Sequence, residues 1–270
     1  EVQSVNGERI EAVVTLGGTL KSNKGVNLPG ANLTTPIFTE KDHQDLKFGL
    51  ERGVDMVAIS FVRNAKDIQT VRQAIHELAE TNAGKQTPII AKLERPEALE
   101  DLRKIMEVTD GVMVARGDLG VEMSPAAVPI AQKEIISSAN AHARLVITAT
   151  QMLDSMINNP RPTRAEATDV ANAVFDGTDA VMLSGETAAG KYPIESVRMM
   201  DSIVQRAERN LQRWGKTNFE SELPQQSDPV SITKAAKELA TDRDVSAIVV
   251  FTQSGKTARL MSKARSPVPI

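Results

Sequence analysis

From Asp55 onward, short apolar runs alternate with longer stretches in which apolar residues recur at helical spacing. Asp55-Met-Val-Ala-Ile-Ser-Phe61, Pro88 to Leu93, Gly111 to Ala115, Leu145-Val-Ile-Thr-Ala149 and Asp179-Ala-Val-Met-Leu-Ser184 read as five strands. Amphipathic segments at about 64–80, 96–107, 126–143, 163–176 and 193–213 read as helices between and after them. Strict β-then-α order implies parallel strands joined by crossover helices. The strand runs are apolar throughout because both faces of such a sheet are covered. One helix start is legible in detail. Asn159-Pro-Arg-Pro162 forbids a helix running through it, and Thr163-Arg-Ala-Glu166 is a capping box that opens the next one.

Both flanks depart from this pattern. Residues 1–35 hold the alternating Ile10-Glu-Ala-Val-Val-Thr15 and several glycines, which predict one or two antiparallel strands of a small β domain. Residues 215–228 form a polar linker bounded by turn formers. Beyond it a helix at 230–241, a strand at 246–252 and a helix from about 256 predict a separate αβα unit. The expected division is therefore 1–35, 36–214, a linker at 215–228, and 229–270. The chain opens on Glu1-Val-Gln-Ser without an initiator Met and closes on Pro267-Val-Pro-Ile270, which reads as the start of a further strand. A segment of a longer polypeptide is expected.

Composition narrows the function. A chain of 270 residues with 41% hydrophobic content can bury a full core. A formal charge of −3 without a Lys/Arg block argues against a nucleic-acid surface, and no apolar run reaches the roughly 18 residues of a membrane span. A small-molecule partner and a cytoplasmic location are expected. The absence of cysteine excludes disulfides, thiolate metal sites and a cysteine nucleophile. His43, His76 and His142 all fall in helical segments and are assigned no role.

Lys92 and Glu94 end one apolar run, and Arg116-Gly-Asp118 ends the next. In a β/α barrel the carboxyl ends of the strands face the active site, so charge gathered there reads as chemistry. Taken singly, each residue has a plainer reading. Lys92 is a strand-end lysine reaching solvent, Glu94 and Asp118 are partners of Arg95 and Arg116, and Thr150 is a strand former or a cap. Arg116-Gly-Asp118 also spells an adhesion tripeptide, which requires an exposed loop of a secreted protein and is set aside. Thr252-Gln-Ser-Gly-Lys-Thr257 follows a strand and opens a helix, an arrangement that suits a phosphate as well as it suits an ordinary capped turn. It is not a Walker loop, because Val250 stands where the first glycine is needed.

Five segments carry a specific resemblance. Ile90-Ala-Lys-Leu-Glu94, Met113-Val-Ala-Arg-Gly-Asp-Leu-Gly-Val-Glu122, Ile147-Thr-Ala-Thr-Gln-Met-Leu-Asp-Ser-Met156, Asn159-Pro-Arg-Pro-Thr-Arg-Ala-Glu166 and Met182-Leu-Ser-Gly-Glu-Thr187 resemble the pyruvate kinase family in order and spacing. The resemblance spans essentially the whole chain. It implies an α/β fold in which the five strands are strands four to eight of a partial (β/α)8 TIM barrel. The remnant of a small β-barrel domain would precede them, and the start of a C-terminal α/β domain would follow. It also implies phosphoryl transfer from phosphoenolpyruvate to ADP, giving pyruvate and ATP, with Mg²⁺ or Mn²⁺ and K⁺.

The resemblance assigns roles residue by residue. Lys92 matches the essential lysine beside the phosphoryl group in flight, in keeping with a transition state that needs fixed positive charge. Glu94 and Asp118 match the two metal-binding carboxylates, and a pair is enough for Mg²⁺, which keeps several waters. Gly117 matches a position where backbone meets substrate, as glycine permits. Thr150 matches the substrate-contacting threonine, which binds the carboxylate or helps pass the proton that turns enolpyruvate into pyruvate. Lys24, within Ser22-Asn-Lys-Gly-Val-Asn-Leu-Pro-Gly30, matches a lysine on the nucleotide phosphates. Thr252, Ser254, Gly255, Lys256 and Thr257 match a loop that receives a sugar-phosphate effector, often fructose 1,6-bisphosphate. Ser60, Ser184 and Glu186 fall at strand ends and are expected to support the site. The family is usually tetrameric.

Strands one to three, with further phosphate and K⁺ ligands, would lie upstream, so the isolated segment is expected to be weak or inactive and to have open sheet edges. Two alternatives remain open on the residues alone. A metal-dependent lyase acting on an enolate would not depend on ADP. A metabolite sensor working through residues 252–257 would be indifferent to Lys92→Met.

Overall fold

The computed structural model describes the chain apart from residues 20, 21, 23, 24, 27, 29–35, 80–86 and 216–227. A hairpin of β1 (Val2–Asn6) and β2 (Arg9–Ala12) comes first, as the alternation near Ile10 predicts. There follow α1 (Glu40–Glu51), β3 (Val57–Ile59), α2 (Ala65–Ala79), β4 (Ile89–Leu93), α3 (Pro96–Glu100), α4 (Leu102–Val108), β5 (Gly111–Ala115), α5 (Arg116–Glu122) and α6 (Val128–Ala141). The rest comprises β6 (Leu145–Ala149), α7 (Arg164–Asp176), β7 (Ala180–Met182), α8 (Gly185–Ala188), α9 (Pro193–Glu208), α10 (Leu211–Trp214), α11 (Asp228–Asp242) and α12 (Lys256–Lys263).

Strands β3 to β7 lie side by side in chain order, as in the barrel that the resemblance implies, and all pair in parallel, as β-then-α order predicts. The pleat sorts their residues. Ile89, Ala91, Leu93, Val112, Val114 and Val146 face helices α2, α4 and α6 and fuse with them into one core. Ile90, Met113 and Ala149 face the other way, with Leu145, Ile147 and Met182. Lys92 follows Ile90 by two positions, so it belongs to this second face, at the carboxyl end of its strand. Gly111 keeps the two strands beside it close: a Cβ there would stand 2.7 Å from Ile90 Cδ1 and 2.9 Å from Leu145 Cβ.

The amino ends of the strands are fastened by a repeated Thr-Asp pair. Thr109 Oγ1 donates to the Ile89 carbonyl at 3.1 Å, and the Asp110 carboxylate accepts from Ile89 N at 2.9 Å. Before β7, Thr178 Oγ1 reaches the Val146 carbonyl at 3.2 Å and Asp179 accepts from Val146 N at 2.8 Å.

The structure departs from the sequence reading in four places. The helix expected at 96–107 breaks at Asp101 into α3 and α4, and the Asp101 carboxylate instead accepts from Ala65 N at the start of α2, at 2.9 Å. The helix expected at 193–213 breaks after Glu208 into α9 and α10. Arg116, read as a strand end, is the first residue of α5, so Gly117 and Asp118 lie in a first helical turn. Residues 246–252 form no strand among the described residues. Ile248 N donates to the Pro269 carbonyl at 2.8 Å, but prolines have no N–H with which to return a ladder, and Phe251 is left 91% exposed. The expected linker falls almost wholly outside the described residues, as does Lys24.

Candidate active site at the carboxyl ends of the strands

Lys92, Glu94 and Ser60 come together across the ends of β3 and β4. The ammonium of Lys92 lies 2.6 Å from Glu94 Oε1 and donates to Ser60 Oγ at 3.1 Å. Glu94 is only 1% exposed and its other oxygen accepts from Phe61 N at 2.6 Å. Phe61 stands at φ 56°, a left-handed conformation that disfavours an aromatic residue. The buried carboxylate therefore holds both the lysine and a strained turn. Arg95, the partner that sequence alone suggested for Glu94, turns instead to Glu97 at 2.9 Å and Glu122 at 3.4 Å. Glu97 in turn, bonded first of all to Arg95, has its carboxyl held below the usual range.

A second group forms between β5 and β6. Gly117 N donates to Thr150 Oγ1 at 2.8 Å, and that hydroxyl donates to the Ala149 carbonyl at 2.6 Å. Thr150 and Gln151 both have positive φ, 66° and 53°. The Arg116 side chain is buried. It donates to the Thr150 carbonyl through Nε at 3.2 Å and through a terminal nitrogen at 2.7 Å, and it pairs with Asp169 of α7.

Asp118 is half-buried, and among the described residues no hydrogen bond or ion pair engages its carboxylate. Register places Leu93 opposite Val114, so Glu94 and Asp118 follow the ends of adjacent strands. No cluster of three or more His, Cys, Asp or Glu that could hold a metal ion occurs among the described residues, and the carboxylates that follow these two strand ends are Glu94 and Asp118. That set fits a hard divalent ion that keeps waters and takes substrate oxygens, since one carboxylate is free and the other retains unused lone pairs.

The supporting residues divide. Ser60 touches Lys92 directly. Glu186, 2% exposed, accepts from Leu153 N at 3.0 Å and Ser184 N at 2.7 Å, and so joins the loops after β6 and β7. At 252–257 the chain makes a capped turn: Gly255 N donates to Thr252 Oγ1 at 3.1 Å and Lys256 N to Ser254 Oγ at 3.4 Å, with Gly255 at φ 76°. Sequence reasoning overlooked the Arg116 fork and the Phe61–Glu94 bond. An arginine directly after an all-apolar strand was the available signal for the first; a backbone donor leaves none for the second.

A family model described as pyruvate kinase, barrel domain, matches residues 1–197. The chain belongs to the pyruvate kinase family. A second model, described as pyruvate kinase, alpha/beta domain, matches residues 230–270. Pyruvate kinase 2 of Synechocystis sp. is 51% identical over 257 residues, 95% of this chain and 42% of that protein. Pyruvate kinase of Mycobacterium tuberculosis is 47% identical over 269 residues, 100% of this chain and 55% of that one. The crystal structure of a pyruvate kinase from Cryptosporidium parvum superposes with a TM-score of 0.82 at 41% identity, over 90% of this chain and 50% of that chain. The chain thus spans about half the length of the pyruvate kinases it matches.

Proposed function

We propose that the protein transfers the phosphoryl group of phosphoenolpyruvate to ADP, giving pyruvate and ATP. The observation that carries this reading is the Lys92 ammonium, held by Glu94 and Ser60 at the mouth of parallel strands in a chain of the pyruvate kinase family. A loose phosphoryl transition state spreads negative charge over its equatorial oxygens, and a cation fixed before the reaction stabilises it without reorganisation. Glu94 and Asp118 would hold Mg²⁺ or Mn²⁺, which when bound neutralises charge on the substrate oxygens. The family resemblance adds K⁺. Gly117 and Thr150 form the floor on which the substrate carboxylate and enol carbon rest. The Thr150 hydroxyl donates to the Ala149 carbonyl at 2.6 Å, so it must leave that acceptor before it can help protonate the enol.

The nucleotide end of the site is assigned to Lys24, and the capped turn at 252–257 to a sugar-phosphate effector, with a homotetramer in the cytoplasm as the working form. Among the described residues no helix is long and apolar enough to cross a membrane. The test is a dehydrogenase-coupled assay of pyruvate from phosphoenolpyruvate, with Mg²⁺ and K⁺, on the complete polypeptide with and without ADP. Pyruvate that requires ADP supports the reading. Pyruvate formed equally well without ADP would indicate a lyase or phosphatase, and none at all would leave a binding protein.

A further inference from the structure

We infer that Arg116 is the positioning residue for Thr150, an inference that rests on the reading of Thr150 as a substrate contact. A β-branched residue in the left-handed region costs on the order of 1–3 kcal/mol and persists only where its surroundings over-determine it. Thr150 is such a residue, at φ 66°, and Gln151 beside it stands at 53°. The first two residues of α5 grip it from both ends. The Arg116 guanidinium takes its carbonyl through two nitrogens, and Gly117 N takes its hydroxyl at 2.8 Å. The guanidinium is itself immobilised, by Asp169 of α7 and by Gln132 Oε1 of α6 at 3.4 Å, and Nε also reaches the Ala149 carbonyl at 3.3 Å. Arginine suits this position because its planar fork addresses two carbonyls and a carboxylate at once and stays charged at any working pH. Lysine would supply the charge without the fork. Released from the fork, the peptide after Thr150 is free to relax toward negative φ, and the hydroxyl would swing off the substrate.

The test is a double-mutant cycle on the complete polypeptide, reading kcat, the KM for each substrate and the thermal midpoint. The Thr150→Ala arm decides the underlying reading: kcat equal to that of the parent would remove Thr150 from the site and the inference with it. Given a loss in that arm, Arg116→Lys is expected to lower kcat by about 10²-fold, the cost typical of a misplacement near 1 Å, while the KM for ADP stays unchanged. In the Thr150→Ala background the same substitution should change kcat by no more than about twofold, because the group it positions is gone. Equal fold losses in both backgrounds, or a parent-like kcat for Arg116→Lys, would overturn the inference. If Arg116→Lys does not fold, Asp169→Asn replaces it. Asp169 is partly exposed, and its loss loosens the guanidinium, so a several-fold fall in kcat that vanishes in the Thr150→Ala background is expected. A parent-like or background-independent kcat for Asp169→Asn would count against the inference.

Discussion

Gly117 sits where the fold itself makes no demand for glycine. An alanine Cβ there would meet Thr150 Oγ1 at 3.5 Å and Thr150 Cβ at 3.7 Å, which is ordinary contact, and its φ is not left-handed. The fold therefore accepts alanine, and Gly→Ala in a helix adds up to about 0.5–1 kcal/mol of stability. If a substrate rests on this backbone, Gly117→Ala should melt no lower than the parent while its KM for phosphoenolpyruvate rises at least about tenfold; an unchanged KM would remove Gly117 from the site. At this scale the sequence was legible for the placement of Lys92, Glu94, Ser60, Gly117 and Thr150 at or just past the carboxyl ends of the strands, where the structure gathers them into two bonded groups. It was not legible for the bonds inside them. Glu94 pairs with Lys92 two residues away rather than with adjacent Arg95, because alternate strand residues share a face while neighbours oppose.

The segment from β6 to α7 rests on a capping box that serves more than its helix. Glu166 accepts from Thr163 N at 2.7 Å and Thr163 Oγ1 at 2.8 Å, and also from Ser155 N at 2.7 Å and Ser155 Oγ at 2.6 Å. It thereby ties the short 3-10 turn at Asp154–Ile157 to the start of α7 across the prolines. Burial alone would raise the Glu166 carboxyl, but the donors from Ser155 and Thr163 outweigh it and hold the group below the usual carboxylate range. A depressed carboxyl contributes stability that is fully present above the unfolded-state value and is lost as pH falls through the folded-state value. Glu166→Gln should cost about 1–2 kcal/mol near neutral pH, and its deficit should shrink below the ordinary glutamate range, where the parent too is protonated; urea titrations at the two pH values measure it. The box itself was legible because its two residues are three positions apart in sequence. The breaks at Asp101 and after Glu208 were not, since apolar periodicity runs through both. At Asp101, a tertiary acceptor role toward Ala65 N decides the break.

At the scale of the whole molecule, α12 and the residue pair after it fasten the C-terminal segment to the amino end of β7. Asp179 pairs with Lys263 and, at 2.8 Å, with Arg265; Lys263 also donates to Asn140 Oδ1 at 3.1 Å. Burial pushes the Lys263 ammonium down to about 8 against the pull of Asp179. Removing the carboxylate strands two half-buried cations, so Asp179→Asn should destabilise the protein by roughly 2–4 kcal/mol, somewhat less than for a fully buried pair, read by denaturant unfolding, and drive Lys263 still lower. A loss under about 1 kcal/mol would mean that the two segments are held otherwise. Nothing in the sequence announces this contact, because its partners are separated by 84 residues. The parallel pairing of the strands was legible, because β-then-α alternation calls for right-handed crossovers between parallel strands; their neighbour order followed only from the family resemblance. The strand at 246–252 was misread because an apolar run states a need for burial without supplying a partner.

If Lys92 is the fixed charge of phosphoryl transfer, its removal must abolish turnover while leaving the fold intact. The deciding measurement is the ADP-dependent rate of pyruvate release by Lys92→Met and by the parent, both as complete polypeptides with matching melting temperatures. A fall of at least roughly 10³-fold in kcat with the KM for phosphoenolpyruvate little changed is predicted. A kcat within a few-fold of the parent would remove Lys92 from the chemistry and return it to the role of a strand-end lysine paired with Glu94.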